Sequence, residues 1–291
     1  MPSEKTRRKA RLGNYMLMLR KRIEPELKAE AVSELVETAR TTITRMEAGR
    51  QVPSLHLMHA ILGIYGVTDE ERAEAVGRWR IAKQGTAVVE HAADAPMKYR
   101  AFRRDESEAA FERTMEPIAI HGLLQTAAYA AAVADAALLF NQNRPAGWEQ
   151  RATDERLSRQ KLLHGSGSLR LHSLIDEGVV RRVVGGPEVM AEQLRHLLAV
   201  GAQDNITIQV VPFGAGAYST MSGPVSLLSF GHAEESDTAY LEHAAGGELV
   251  ENAEDVAVFV STFERVSRDL ALPPDQSADL IKEVLDQLEG R

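Results

Sequence analysis

The stretch TARTTITRMEAGR, from Thr38 to Arg50, decides how the front of this chain is read. At 3.6 residues per turn, Ala39, Ile43 and Met46 share one face at spacings of four and three. Arg40, Thr41, Thr44 and Arg45 share the other, and no acid appears until Glu47. An ordinary surface helix mixes Glu with Lys and gains a few tenths of a kcal/mol from each opposite-charge pair. This face offers cations and hydroxyls instead, which suits something polyanionic and rich in acceptors.

Working outward, Leu12, Tyr15, Met16, Leu19 and Ile23 recur at helical spacing and predict a first helix over 11–23, ended by Pro25. AEAVSELV predicts a short second helix with Val32, Leu35 and Val36 inward. Thr38 reads as the N-cap of the third, over 39–47, and Gly49 as its stop. Ser54 starts a fourth helix carrying Leu55, Met58, Ile61, Leu62 and Tyr65, closed by Gly66. Thr68 and Glu71 form a capping box for a fifth, which ends near Lys83.

Residues 84–97 lack periodicity and read as a linker. Helical segments are expected near 98–110, 123–138 and 145–164. The pattern then changes to short β-rich runs at 169–176, 206–213, 224–230 and 238–243, with a helix over 187–201 between the first two. Strand, helix, strand predicts one parallel crossover, and the last two runs are expected as antiparallel neighbours. Helices over 253–269 and 275–289 finish the chain. The expected fold class is mainly α with an α+β C-terminal domain. A five-helix domain over 1–83 precedes a domain over 98–291, in which helices flank a small mixed β-sheet.

Hydrophobic content of 44% and charged content of 26% describe an ordinary globular protein. No apolar run approaches the ~20 residues of a membrane span. The basic start MPSEKTRRKARLG has no apolar stretch behind it and does not read as a signal peptide. The lack of cysteine removes disulfide and thiolate chemistry and fits a reducing cytoplasm, the expected location. Charge is unevenly spread. Residues 1–83 hold 16 Lys/Arg against 11 Asp/Glu, whereas the rest holds 18 against 31. A basic front on an acidic body implies that only the front meets a polyanion.

The second helix, a tight turn at Val36-Glu37-Thr38 and the third helix make a helix-turn-helix arrangement, whose second helix lies in the DNA major groove. On that geometry Arg40, Thr41 and Arg45 face the bases, with Thr42 and Thr44 beside them. Arg donates twice to guanine, and Thr bonds either edge or meets the thymine methyl. Arg50, with Arg7, Arg8 and Arg11 in a basic N-terminal arm, would contact phosphates. A five-helix bundle with an unrelated basic face gives the same pattern.

The local sequence ITRMEAGRQVPS (43–54) resembles the R-I-E-N-G-x-x-x-P-S segment of phage-repressor-like (XRE, Cro/C1-type) regulators. Arg45, Glu47, Gly49, Pro53 and Ser54 match it, while Met46 stands for Ile and Ala48 for Asn. The resemblance implies that Glu47 braces the domain interior. Two positions depart from the pattern: Ala29 replaces the Gln that opens the second helix, and Glu37 replaces the turn Gly. The second departure puts an acid near the phosphates and a side chain where positive φ is needed, at a cost of about 1 kcal/mol.

The larger part also resembles a family. EPIAIHGLLQTAAYA (116–130), LIDEGVVRRVVGGPEVMAEQLRHLL (174–198), NITIQVVPFGAGAYSTMSGPVSLLSF (205–230) and AYLEH (239–243) are similar to actinobacterial regulators carrying the domain DUF5753. His121 departs, since that position is more often Pro in the family. The resemblance implies a DNA-binding transcriptional regulator of the antitoxin-like type, with a small DUF397-type protein encoded nearby as partner. A homodimer on a palindromic operator is expected, since one short recognition helix reads few base pairs.

No enzyme is expected. The histidines are scattered, so neither a metal nor a cofactor is predicted. The loop GAGAYSTMSGP (214–224) lacks the Gly-Lys-Ser/Thr ending of a phosphate loop, and Ser219 and Ser222 have no G-x-S-x-G elbow. Two readings remain for the acidic body. One is a docking module for a protein partner, centred on this loop and the strand edge beside it. The other is a small-molecule pocket lined by Phe213, Tyr218 and Phe230; Ser219 and Met221 are further candidates for contact with partner or ligand.

Overall fold

The computed structural model describes residues 6–83, 97–138, 147–165, 168–219, 221–231, 235–243 and 246–290. The chain divides into two compact units, Met1–Val88 and Val89–Arg291. The stretch expected as a linker lies, apart from Met97, outside the described residues.

The front unit is built from α1 (Arg7–Lys21), α2 (Ala29–Leu35), α3 (Arg40–Glu47), α4 (Leu55–Ile64) and α5 (Asp69–Lys83). Their apolar faces meet in one core of Leu12, Met16, Leu19, Val32, Ile43, Met46, Met58, Ile61 and Leu62. The Ser54 hydroxyl accepts from Leu57 N at 3.1 Å. The Thr68–Glu71 box closes in both directions, at 2.9 and 3.2 Å. Glu71 also takes the Arg22 guanidinium, and these bonds hold its carboxyl down at about 2, the Arg22 bond foremost.

Four local expectations change. The first helix begins at Arg7, capped by Thr6, so Arg7, Arg8 and Arg11 sit on α1 and form no separate arm. The cap of α3 is Ala39 instead of Thr38: Thr42 N donates to Ala39 O at 2.8 Å, while Thr38 belongs to the turn, its N–H donating to Ser33 O at 2.9 Å. Ala39 therefore precedes the helical periodicity and is exposed. Leu35 is exposed too, since it lies one residue off the Val32–Val36 spacing that faces the core.

The larger unit carries a six-stranded mixed sheet in the order β3-β2-β1-β4-β5-β6. The strands are β1 (Phe111–Glu116), β2 (Arg170–Asp176), β3 (Ile206–Val211), β4 (Val225–Ser229), β5 (Thr238–His243) and β6 (Gly246–Val250). β1, β2 and β3 run parallel, and β4, β5 and β6 add antiparallel on the other side of β1. The β2–β3 crossover is the expected one, through α9 (Glu177–Arg181) and α10 (Pro187–Val200). The remaining helices are α6 (Met97–Glu106), α7 (Ala127–Leu138), α8 (Trp148–Arg159), α11 (Ala253–Asp269) and α12 (Pro274–Leu288).

Strand alternation sorts the core onto two faces. Leu171, Ile175, Ile206, Ile208 and Val210 pack with α7, α10 and α12. Met115, Leu174, Val211, Leu227 and Ala239 pack under α11 through Val256, Phe263 and Val266. α6 lays Phe102 on Tyr240, with ring centroids 4.4 Å apart. The sequence reading lacks β1 and β6. In β6 the Gly246-Gly247 pair hides the strand, and Gly247 is required: a Cβ there would strike the Tyr240 ring. β1 makes the acidic and basic stretch FERTME the centre of the sheet, with Glu112, Thr114 and Glu116 on the α7–α10 face.

Candidate functional site

The turn between α2 and α3 carries Glu37 at φ 50°, the one positive-φ residue other than glycine among those described. The acid expected to occupy a left-handed turn position does so. α3 then presents Arg40, Thr41, Thr44 and Arg45 to solvent while Ile43, Met46 and Glu47 are buried. Thr42 is half-buried and Arg50 exposed. Arg40 is not idle: its guanidinium meets Glu30 of α2 at 2.8 Å, both side chains largely exposed. That pair crosses from α2 to α3, which no reading of α3 alone reveals.

Two contacts fix the angle of α3. Gly13 of α1 runs so close beneath it that a Cβ would fall against the Met46 and Glu47 carbonyls. Glu47 turns inward and is clamped by Arg20, Nε to Oε1 at 2.6 Å and a second guanidinium nitrogen to Oε2 at 2.9 Å. Arg20 also donates to Leu27 O at 2.7 Å, tying the start of α2 to the same group. Glu47 thus braces the interior, as its motif implies, and Arg20 is the partner the sequence did not name.

Of the C-terminal residues expected as one site, Phe213, Tyr218, Ser219 and Met221 share one loop, whereas Phe230 does not join them. Tyr218 donates to Asp176 at 2.8 Å, and Asp176 also caps α9 through Gly178 N. Phe213 is 61% exposed and lies against this turn, and Met221 is 53% exposed. Ser219 sits in the same loop. Phe230 belongs elsewhere, in a cluster with Phe102, Leu228 and Tyr240. The strand edge beside the loop is β3, and at Val210 it is already taken, by Ser277 Oγ at 2.9 Å and Leu272 N at 2.8 Å.

A different group of residues converges beneath the sheet. Arg103 and Glu106 on α6 meet Glu155 and Arg159 on α8, all buried. Arg103 Nε donates to Glu155 at 2.5 Å, Arg159 donates to Glu106 at 2.5 Å, and Arg103 pairs with Glu106 as well. Gly122 lies against this group, where a Cβ would stand 2.7 Å from the Arg159 guanidinium. Burial pushes the Glu155 carboxyl up, but Arg159 and Arg103 outweigh it and hold it below its usual range. Beside this quartet, Glu112 of β1 is fully buried.

Burial drives Glu112 up to about 7, against the pull of Arg159 and Arg103. Ser226 lies near it, but neither carboxylate oxygen has a hydrogen bond of acceptable geometry. Glu116 is pushed well above its usual range by burial, with Glu242 and Glu112 adding to it. His121 faces Glu112, Nε2 to Oε1 at 3.5 Å, and burial with the two guanidiniums holds its imidazole well below the usual range. Oxygens of Glu106 and Glu112 and a ring nitrogen of His121 all lie within 4.8 Å of one another.

The turn that delivers His121 is rigid. Gln125 donates to Ile120 O at 2.7 Å, and buried Gln193 bridges Leu124 O and Thr126 N, both at 2.7 Å. This single histidine is thereby held against two buried carboxylates, Glu106 and Glu112. The alternation Glu112-x-Thr114-x-Glu116 was the available signal, masked by Arg113 between the acids.

Residues 99–283 match the family described as "Domain of unknown function (DUF5753)". Residues 6–75 match the family described as "Helix-turn-helix domain". No curated protein and no solved structure matches the chain. No helix among the described residues is long and apolar enough to cross a membrane.

Proposed function

The chain belongs to the DUF5753 family and carries a helix-turn-helix domain ahead of that region, and on this footing we propose a sequence-specific transcriptional regulator of the phage-repressor-like type. The observation that carries the reading is the outward face of α3. Arg40, Thr41, Thr44 and Arg45 stand exposed on a helix whose other side is bolted to α1 by Glu47 and Gly13. α3 enters the major groove, and Arg50 with the basic side chains of α1 meets phosphates.

Binding of the full chain to randomised DNA tests this. Arg40→Ala and Arg45→Ala should each cost about 1–3 kcal/mol and relax one base position. Arg50→Ala should weaken all sequences alike and lower the salt slope by about one unit. Unchanged affinity and preference in the first two variants would remove α3 as the reader.

The acidic unit acts by binding, without chemistry, and docks a basic partner, the small DUF397-type protein encoded nearby. It also holds two copies of the chain together on a palindromic operator. Its 31 acidic against 18 basic residues, counted over 84–291, favour such a partner at low salt. With β3 engaged at Val210, the docking surface is the loop itself, through exposed Phe213 and Met221. The small-molecule alternative keeps Phe213 and Tyr218 at one turn but not Phe230, which packs with Phe102, Leu228 and Tyr240. Operator affinity with and without the small protein, for wild type and for a Gly-Ser replacement of 215–222, separates the two. Sedimentation of the full chain should give a dimer at micromolar concentration.

A further inference from the structure

We propose that Glu112, His121 and Glu106 form a binding site for one divalent transition-metal ion of the zinc or manganese kind. Three elements supply the ligands: β1, the rigid turn before α7, and the end of α6. Their ligand atoms lie within 4.8 Å of one another. Bond lengths near 2.1 Å set ligand separations of up to about 4.2 Å, so small rotamer shifts complete the geometry. The His121–Glu112 separation of 3.5 Å already matches adjacent ligands on a tetrahedral ion. Two carboxylates and an imidazole, in a chain with no cysteine, suit a borderline or hard ion and not a thiophilic one.

The second observation is what the protein leaves unpaired. Glu112 is fully buried, with Ser226 near it but no hydrogen bond of acceptable geometry to either oxygen, and buried His121 has none to Nδ1. Buried polar groups are otherwise hydrogen-bonded as a rule, and an orphaned carboxylate calls for a partner.

Charge points the same way. Arg103, Arg159, Glu106 and Glu155 form a neutral quartet through their mutual pairs. The other buried acids have arginines: Asp105 with Arg104 at 3.7 Å, and Glu177 with Arg181 at 2.6 Å. Among the described buried carboxylates, only Glu112 and Glu116 have no direct ion pair with an arginine or lysine, and the nearby Arg159 and Arg103 act on Glu112 without contacting it. A divalent cation at the Glu112 oxygens gives that carboxylate the direct partner it lacks. Glu106 can serve while still holding its guanidiniums, since each carboxylate oxygen has two acceptor sites.

The test uses the full chain stripped with chelator, titrated separately with Zn2+, Mn2+ and Co2+ by calorimetry, with Co2+ followed also by visible absorption. One equivalent per chain is expected, with a Co2+ spectrum showing oxygen and nitrogen ligands. Glu112→Gln and His121→Asn, each checked for native circular dichroism, should weaken binding more than tenfold. His56→Ala with His59→Ala on α4, a surface pair three residues apart, should leave it unchanged. The proposal falls if the stripped protein takes up no ion, since Glu112 then simply carries a proton. It also falls if the His56/His59 change abolishes uptake, or if folded Glu112→Gln and His121→Asn proteins bind as wild type does.

Discussion

Replacing Glu47 by Ala should unfold the front unit selectively. The Arg20–Glu47 side chains are only 9% and 8% exposed, and they meet through two hydrogen bonds at 2.6 and 2.9 Å. Removing the acid strands the guanidinium in the core with Leu27 O as its remaining acceptor. Breaking a buried pair from one side costs about 3–5 kcal/mol. A domain of this size has roughly 4–12 kcal/mol in total, so the loss removes a large part of it. At about 4–8 °C per kcal/mol, the melting temperature should fall by roughly 12–40 °C. Trp79, whose indole donates to Pro53 O at 2.9 Å, reports on this unit when Trp148 is changed to Phe. The transition of the larger unit, followed by circular dichroism, should not move. Arg20→Met combined with Glu47→Leu should recover most of the loss, because no buried charge is then left alone. A fall of under about 4 °C for Glu47→Ala, the size expected of a surface pair, would refute the clamp.

Three more outcomes follow from particular side chains. Glu30→Gln frees Arg40 from an exposed pair of about 0.2–1 kcal/mol and removes an acid near the duplex, so operator affinity should rise up to about fivefold, measured by fluorescence anisotropy. Glu37→Gly relieves a left-handed residue and should raise the urea midpoint by the equivalent of up to about 1 kcal/mol. Burial holds the His172 imidazole below its usual range, with Arg113 adding to this against the Gln209 bond. The unfolded chain then takes up the proton first, so stability drops as pH falls from about 6.5 toward the folded value. The difference between wild type and His172→Asn in urea midpoint should therefore shrink between pH 7.5 and 5.5.

The front unit was legible because its signals are local. Apolar spacing of three and four, the Ser54 cap and the Thr68–Glu71 box are each contained in one helix turn or two, and the structure repeats them. What the sequence missed there is non-local: Arg20 under Glu47 is 27 residues away, and Glu30 meets Arg40 from the next helix. In the larger unit the strands with apolar runs were readable, and the β2–α10–β3 crossover followed from their order. β1 was not, because a central strand is expected to be apolar and this one alternates acids with Phe111, Arg113 and Met115. The site at Glu112 rests on that strand, on α6 and on the turn at His121, so losing β1 lost the site. The loop 214–224 attracted the reading instead because glycine and aromatic residues stand out in sequence whether or not they converge.

The placement of Glu112, Thr114 and Glu116 is costly enough to need a reason. β1 is paired on both sides, Glu112 opposite Leu171 and Leu228, so it cannot slide to relieve them. A slip of one residue would exchange the acids for Phe111, Arg113 and Met115 and bring both faces into conflict. Apolar side chains at these positions would bury surface worth about 1.5–3 kcal/mol each. The sequence instead keeps a polar stripe across the sheet, with Thr114 bonded to Ser173 at 2.9 Å and Ser226 opposite. Local choices that oppose the global fold collect at functional positions. Reading DNA does not explain this stripe, because the helix-turn-helix domain lies in the other unit. Glu112→Met should therefore stabilise the larger unit in the presence of chelator by about 1–3 kcal/mol, the cost of an unsatisfied buried polar group. The same variant should leave operator binding by α3 intact while lacking the metal-dependent rise in melting temperature expected of wild type. A less stable Glu112→Met protein in chelator would mean that the carboxylate already has its partner within the fold, and that the stripe is ordinary architecture.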